Sequence, residues 1–256
     1  MKAFGAQVRA ELYMTLRRGE TLLLTVGIPV IFLVFFSTVH VVSVPARHSV
    51  DFFVPGILSL AVMSTALVSL GIASGFERGY GVLKRLQSTP LGRPRLISAK
   101  IATVVVVEIV QGVILIPVGV GLGWKPGTLT LSAHQALGTS SSLVASFETV
   151  GLVLLATCGF AGLGLFMAGR LRAEVNLASA NGLYLVLLLL GGMIVPIGSL
   201  PGALGAVAKV LPPEALSSGL QAALGAQAAV PVHSWVVLGI WAVLTPLAAM
   251  ATFRWE

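Results

Sequence analysis

The chain has 256 residues, of which 56% are hydrophobic and only 10% charged, whereas ordinary globular domains carry roughly 25% charged residues. Its net charge is +7, but sixteen Lys and Arg residues scattered through so apolar a sequence exclude a phosphate-tracking, nucleic-acid-binding surface. The single cysteine, Cys158, excludes an intramolecular disulfide, and its apolar surroundings in sequence make it a small buried hydrophobe.

A helix needs about 20 apolar residues to cross the hydrocarbon core of a bilayer. Six segments reach that length: Thr21–Val44, Phe52–Gly75, Ile101–Gly123, Val144–Gly169, Asn176–Ile197 and Val232–Phe253. Placing the N-terminus inside puts every Lys and Arg on the cytoplasmic side except Arg47, Lys125 and Lys209, as the positive-inside rule requires. The predicted fold class is therefore all-α integral membrane, one transmembrane domain over residues 1–256, multi-pass in the cell membrane with both termini cytoplasmic. Val44-Pro45-Ala46 suggests a signal-peptide cleavage site, but the apolar run before it is too long and Glu11 and Glu20 lie in the leader, so no cleavage is expected.

In chain order, residues 2–19 precede the first span. Phe4, Val8, Leu12 and Leu16 recur every fourth position and define one stripe of an interfacial helix lying in the headgroup plane. Residues 76–100, from Phe76 to Lys100, form a basic island between two apolar stretches. Glu77–Gln87 is compatible with a helix apart from Gly79 and Gly81, with Tyr80, Leu83 and Leu86 at roughly helical spacing. Thr89-Pro90 ends it, because the residue before proline is pushed out of the α region. A short amphipathic helix closed by a proline turn has the shape of a docking element. Loop Trp124–Leu143 is external, and Arg170–Val175 is a cytoplasmic turn. Beyond the fifth span, Gly202–Leu211 and Glu214–Gly225 flank Leu211-Pro212-Pro213, and each is about half a bilayer long as a helix. They are expected to form an external re-entrant hairpin within residues 198–230.

The motifs exclude several chemistries. There is no Gly-Lys pair and so no phosphate-binding loop, and neither G-x-S-x-G nor H-E-x-x-H occurs. Ser74 and His233 map to opposite ends of their spans, so they cannot form a catalytic dyad. His40, His48, His134 and His233 all map outside without metal-ligand spacing. Glu108 is expected about 12 Å into the bilayer, where an acid must be protonated, paired or facing a cavity. Gln111 shares its helical face and offers a hydrogen bond. A structural role and a place on a substrate or water path are both open for Glu108. Glu148 is expected to reach the external surface. Gly71, Gly75 and Gly79, like Gly119 and Gly123, recur every fourth position, which lets helices approach closely.

The stretch E-R-G-x-G-x-L-K-R-L-x-x-T-P-L-x-R, Glu77 to Arg93, followed by Lys100, resembles the coupling loop of type-2 ABC exporter permeases of the daunorubicin-resistance-like group. The run G-G-M-I-V-P-I-G-S-L-P-G-A-L, Gly191 to Leu204, followed by Leu211-Pro212, resembles the fifth span and external re-entrant helices of the same family. The resemblance implies a dimer of permease subunits, identical or homologous, working in membrane lipid with separate ABC ATPase (nucleotide-binding) subunits. ATP and magnesium would be bound by that partner, with no cofactor in this chain and no nucleic acid among its partners.

It further implies that Glu77, Arg78, Gly79, Leu83, Lys84, Leu86 and Pro90 couple to the ATPase. A substrate path would run past Met63, Leu67, Asn181, Tyr184 and Leu188, with Glu108 as a further candidate. The substrate would be hydrophobic or amphipathic, drug-like or lipid-like, and moved outward. The sequence departs from members with a fused ATPase or a large external domain. A stand-alone secondary transporter or channel is the competing class, opposed by the lack of inverted-repeat symmetry and by the one oversized cytoplasmic loop.

Overall fold

Apolar runs this long satisfy their backbone polar groups inside a membrane only as helices, and glycine and proline decide where each one stops. The computed structural model describes residues 2–17, 19–39, 49–87, 92–124, 141–224 and 229–252. In chain order α1 is Lys2–Arg17, α2 Gly19–Thr38, α3 Ser49–Gly79, α4 Val82–Gln87, α5 Arg93–Gly121, α6 Ser141–Ala168, α7 Ala173–Leu190, α8 Gly202–Lys209, α9 Pro212–Leu224 and α10 Val232–Thr252. No strand occurs among the described residues. The protein is an all-α integral membrane protein. Helices α3, α5, α6, α7 and α10 contain stretches long and apolar enough to cross a bilayer. Helix α2 is shorter in this respect, its apolar part being Thr25–Thr38, and the rest of the first expected span falls among residues 40–48, outside the described ones.

Several boundaries differ from the sequence expectation, and three of them shape the site. Helix α3 continues past Gly75 to Gly79, so Glu77 and Arg78 extend a membrane helix instead of opening a separate one. Helix α5 starts at Arg93, not Ile101, because Gly92 is extended and Pro94 suits the first helical turn. Helix α7 stops at Leu190, not Ile197: Gly192 has φ +63°, a left-handed conformation that ends the helix.

Helix α6 organises the bundle. Gly151, Gly159 and Gly162 face Trp235, Trp241 and Pro246 of α10, so the two helices run side by side in the same direction. A Cβ on Gly162 would lie 2.4 Å from the Pro246 nitrogen, closer than any real contact. On another side of α6, Gly164 meets α3, where a Cβ would lie 2.6 Å from the Leu67 carbonyl oxygen. Between helices in lipid, such close backbone approach supplies the packing that burial from water supplies elsewhere. Around this axis Met63, Leu67, Phe160, Leu165, Leu216 and Leu238 are fully buried. Helix α9 lies almost wholly inside the bundle, with Gly219 against Leu152. A second cluster of Leu33, Phe53, Ile57, Leu115 and Trp124 joins α2, α3 and α5.

Candidate coupling site at the basic end of the bundle

An ammonium near the start of a membrane-length helix needs a counter-charge, because an isolated buried charge is strongly disfavoured. Lys100 of α5 is in that position and is 1% exposed. Its Nζ lies 2.9 Å from Glu11 Oε1 and donates to Glu77 Oε2 at 2.7 Å. Glu11 belongs to α1 and Glu77 to the last turns of α3, so one cation clasps three helices at one end of the bundle. Gln7, one turn before Glu11, donates from Nε2 to Glu11 Oε1 at 2.9 Å and holds the carboxylate in place. Removing one member of such a buried group costs about 3–5 kcal/mol, since it strands the others without a partner.

Behind the clasp is a cavity of about 70 Å³ whose polar lining includes Thr15, Thr25, Thr65 and Thr103. Deeper in the bundle, Gln111 of α5 donates from Nε2 to the Thr25 carbonyl at 2.9 Å and pairs with the Thr65 hydroxyl at 3.0 Å. Thr65 sits in a π-helical turn, Ser64–Ser69, within α3. Such turns insert an extra residue and recur at functional sites. The basic end therefore has two polar ties between α3 and α5, one ionic and one neutral.

The loop carried by this clasp turns at Tyr80-Gly81, with Gly81 at φ +71°, and continues as α4. Leu83 is 0% exposed and packs on Leu96 of α5, with Leu86 half-buried beside it. The outward side of the loop carries Tyr80 and Val82, 76% and 39% exposed, together with exposed Lys84 and Arg85. Arg78 donates from Nη2 to the Leu171 carbonyl in the turn between α6 and α7. Gly79 faces Ala173, Gly75 faces Asn176, and Gly71 faces Gly164, so this glycine stripe packs α3 within the chain. Asn176 also donates to the Gly71 carbonyl at 2.8 Å.

Of the expected coupling residues, then, Glu77 and Leu83 are engaged internally, Lys84 is outward, and Pro90 lies outside the described residues. Reading by sequence alone missed Glu11 and Val82, and it set Tyr80 on one ridge with Leu83 and Leu86, whereas Tyr80 is exposed and Leu83 buried. A buried lysine that needs an acid was the available signal for Glu11, because few acids lie at this end.

The expected path residues separate. Met63 and Leu67 are fully buried in the bundle core, Tyr184 and Leu188 are half-buried on α7, and Asn181 is exposed. Glu108 is buried between α5 and α6, where Thr157 Oγ1 lies 2.6 Å from its Oε2. Gln111 is not its partner, since that amide is committed to Thr65 and Thr25. The other carboxyl oxygen of Glu108 has no hydrogen-bond partner among the described residues.

At the opposite end, the turn between α8 and α9 is tied to α10. His233 Nε2 lies 2.6 Å from the Lys209 carbonyl, and Trp241 Nε1 donates to the Val210 carbonyl at 3.0 Å. Burial pushes the Glu214 carboxyl above its usual range, an effect opposed by the nearby charges of His233 and Lys209. No group of three His, Cys, Asp or Glu side chains suited to a metal occurs among the described residues.

No curated protein is similar enough to this chain to count as a relative. The model of the ABC-2 type transporter family matches residues 2–224, from the first residues of α1 to the end of α9. A bundle of membrane-length helices carrying a basic loop clasped to them agrees with that match. The chain belongs to the ABC-2 type transporter family, as a transmembrane permease component of an ABC transporter.

Proposed function

We propose that the chain is the permease subunit of an ATP-driven exporter of the daunorubicin-resistance-like group. It pairs with a second permease and takes its work from separate ATPase subunits docked on the Tyr80–Gln87 loop. ABC-2 permeases work with an ABC ATPase as a general kind of partner. The observation that carries this reading is the clasp of Glu11, Glu77 and Lys100. A push on the loop reaches α3 through the chain itself, and reaches α5 and α1 through two ion pairs. ATP binding drives such a device only by stabilising one arrangement of these helices over another.

In this reading both termini and the basic end face the cytoplasm, and α8–α9 forms a re-entrant hairpin on the external side. ATP and magnesium stay on the partner. The substrate is hydrophobic or amphipathic, in keeping with the exposed Leu185, Val186 and Leu189 of α7.

The test is whether the neighbouring reading frame encodes a P-loop ATPase that co-purifies with the chain, followed by dye extrusion from cells expressing both. Lys100→Met, in a background where Glu11 and Glu77 are changed to Gln to keep the site neutral, should retain the complex and lose extrusion. Extrusion without the ATPase would contradict the proposal, and so would full extrusion by the neutral variant.

A further inference from the structure

Helix α1 has two working stripes. Gln7, Glu11 and Thr15 point to the clasp, whereas Gly5, Val8, Arg9, Leu12 and Tyr13 line a separate groove of about 460 Å³ against Ala102 and Val106 of α5. The groove is apolar apart from Arg9, which is exposed and makes no ion pair among the described residues. Arg17 lies over the Tyr13 ring at 5.4 Å and does not line the groove, so Arg9 is the groove's cation among the described residues.

The surface beyond the groove identifies its occupant. The outward stripe of α5 continues from Val106 through Ile109 and Val113, which are 59% and 66% exposed. That helix is of membrane-spanning length and composition, so lipid tails are the solvent of this face. Val106 belongs both to this stripe and to the groove, which lies where α1 reaches α5 through Glu11 and Lys100. An acyl chain entering from the bilayer meets apolar walls, and a phosphate above it meets a cation.

We infer that this groove is a binding site for one anionic phospholipid, with an acyl chain between α1 and α5 and the headgroup phosphate at Arg9. The inference rests on the chain's placement in a membrane and not on its coupling to an ATPase. Because Glu11 is on the other stripe of α1, lipid in the groove and the cation of the clasp hold the same helix from two sides. Basic pockets beside membrane helices hold anionic headgroups in this way, each cation contributing about 1 kcal/mol, or roughly a five-fold preference.

The experiment uses the full chain, without an ATPase, in nanodiscs of mixed phosphatidylcholine and phosphatidylglycerol, with one lipid at a time carrying a photoreactive acyl chain. Phosphatidylglycerol should label peptides containing residues 5–13 and 102–106 about five-fold more than phosphatidylcholine. Arg9→Gln, a surface change, should bring the two lipids to parity. Ala102→Trp should fill the groove and suppress labelling of residues 5–13 by both lipids, while labelling at 109–113 persists.

Equal labelling by the two lipids in the unaltered chain would overturn the inference, as would unchanged labelling of residues 5–13 in Ala102→Trp. Absence of lipid adducts at residues 5–13 with labelling at 109–113 intact would overturn it too. Loss of labelling at 109–113 in the unaltered chain would instead refute the membrane placement of α5. The two failures are therefore distinguishable.

Discussion

Lys100 donates to Glu77 across 23 residues of sequence, so the two ends of the basic loop are pinned to each other at 2.7 Å. The loop is thus a closed lever whose base is ionic. Its outer side exposes Tyr80 and Val82, while its inner side, through Leu83 and Leu96, rests on α5.

Charge removal should separate stability from coupling. Lys100→Met alone strands two carboxylates and should lower stability by about 3–5 kcal/mol, read as a fall in melting temperature in detergent. Adding Glu11→Gln and Glu77→Gln should restore most of that loss, because no unpaired charge is then left. A single variant as stable as the unaltered protein would show that the clasp is not formed in the membrane.

The two sides of α4 should behave differently. Leu83→Ala removes a fully buried side chain and should cost about 2–5 kcal/mol. Tyr80→Ala with Val82→Ser gives up only the Phe76–Tyr80 ring contact, so it should cost no more than about 1.5 kcal/mol while weakening capture of the ATPase subunit. Unchanged capture by that double variant would move the docking surface elsewhere.

Glu108 and Gln111 were linked by sequence spacing, and the structure separates them. Gln111→Leu deprives the buried Thr65 hydroxyl of its partner and should cost about 1–3 kcal/mol. Glu108→Leu removes an unsatisfied buried oxygen, and Thr157 keeps its bond to the Val153 carbonyl, so stability should change by less than about 1 kcal/mol. Loss of export in both Glu108→Gln and Glu108→Leu, with assembly intact, would assign Glu108 to the transport path. Normal export would assign it to packing.

Glu214 supplies a pH dependence. Its carboxyl is held above its usual value of 4.5 by burial, so the folded chain keeps a proton that the unfolded chain releases. This contribution is complete below pH 4.5 and is lost as pH rises through the raised folded value. Thermal stability should therefore fall as pH rises from 4.5 into that range, and Glu214→Gln should flatten the fall. An identical pH profile in the variant would mean that His233 and Lys209 already compensate the carboxylate.

Much of this architecture is legible in the chain, because apolar run length and glycine and proline punctuation act locally. Five of the six expected spans, the short α8–α9 pair and the basic loop follow from such signals. What is not legible depends on tertiary partners. Lys100 is buried because it meets two carboxylates, one of them in α1, and no local pattern encodes that meeting. Leu83 has the spacing of a docking ridge, yet Leu96 claims it. The π turn at Ser64–Ser69 has no composition signal, and it brings Thr65 to Gln111 only once α3 and α5 are packed.

The central claim is that movement of the docked loop is carried to α1 through Lys100. Spin labels at residues 14 and 85, exposed positions on α1 and α4, in a Cys158→Ser background and bound to the ATPase subunit, measure it directly by double electron–electron resonance. With the clasp intact, ATP should move both helices together and leave the distance distribution narrow and nearly unchanged. In the neutral triple variant, ATP should move α4 alone, shifting and broadening the distribution. The same ATP response in both proteins would contradict the account.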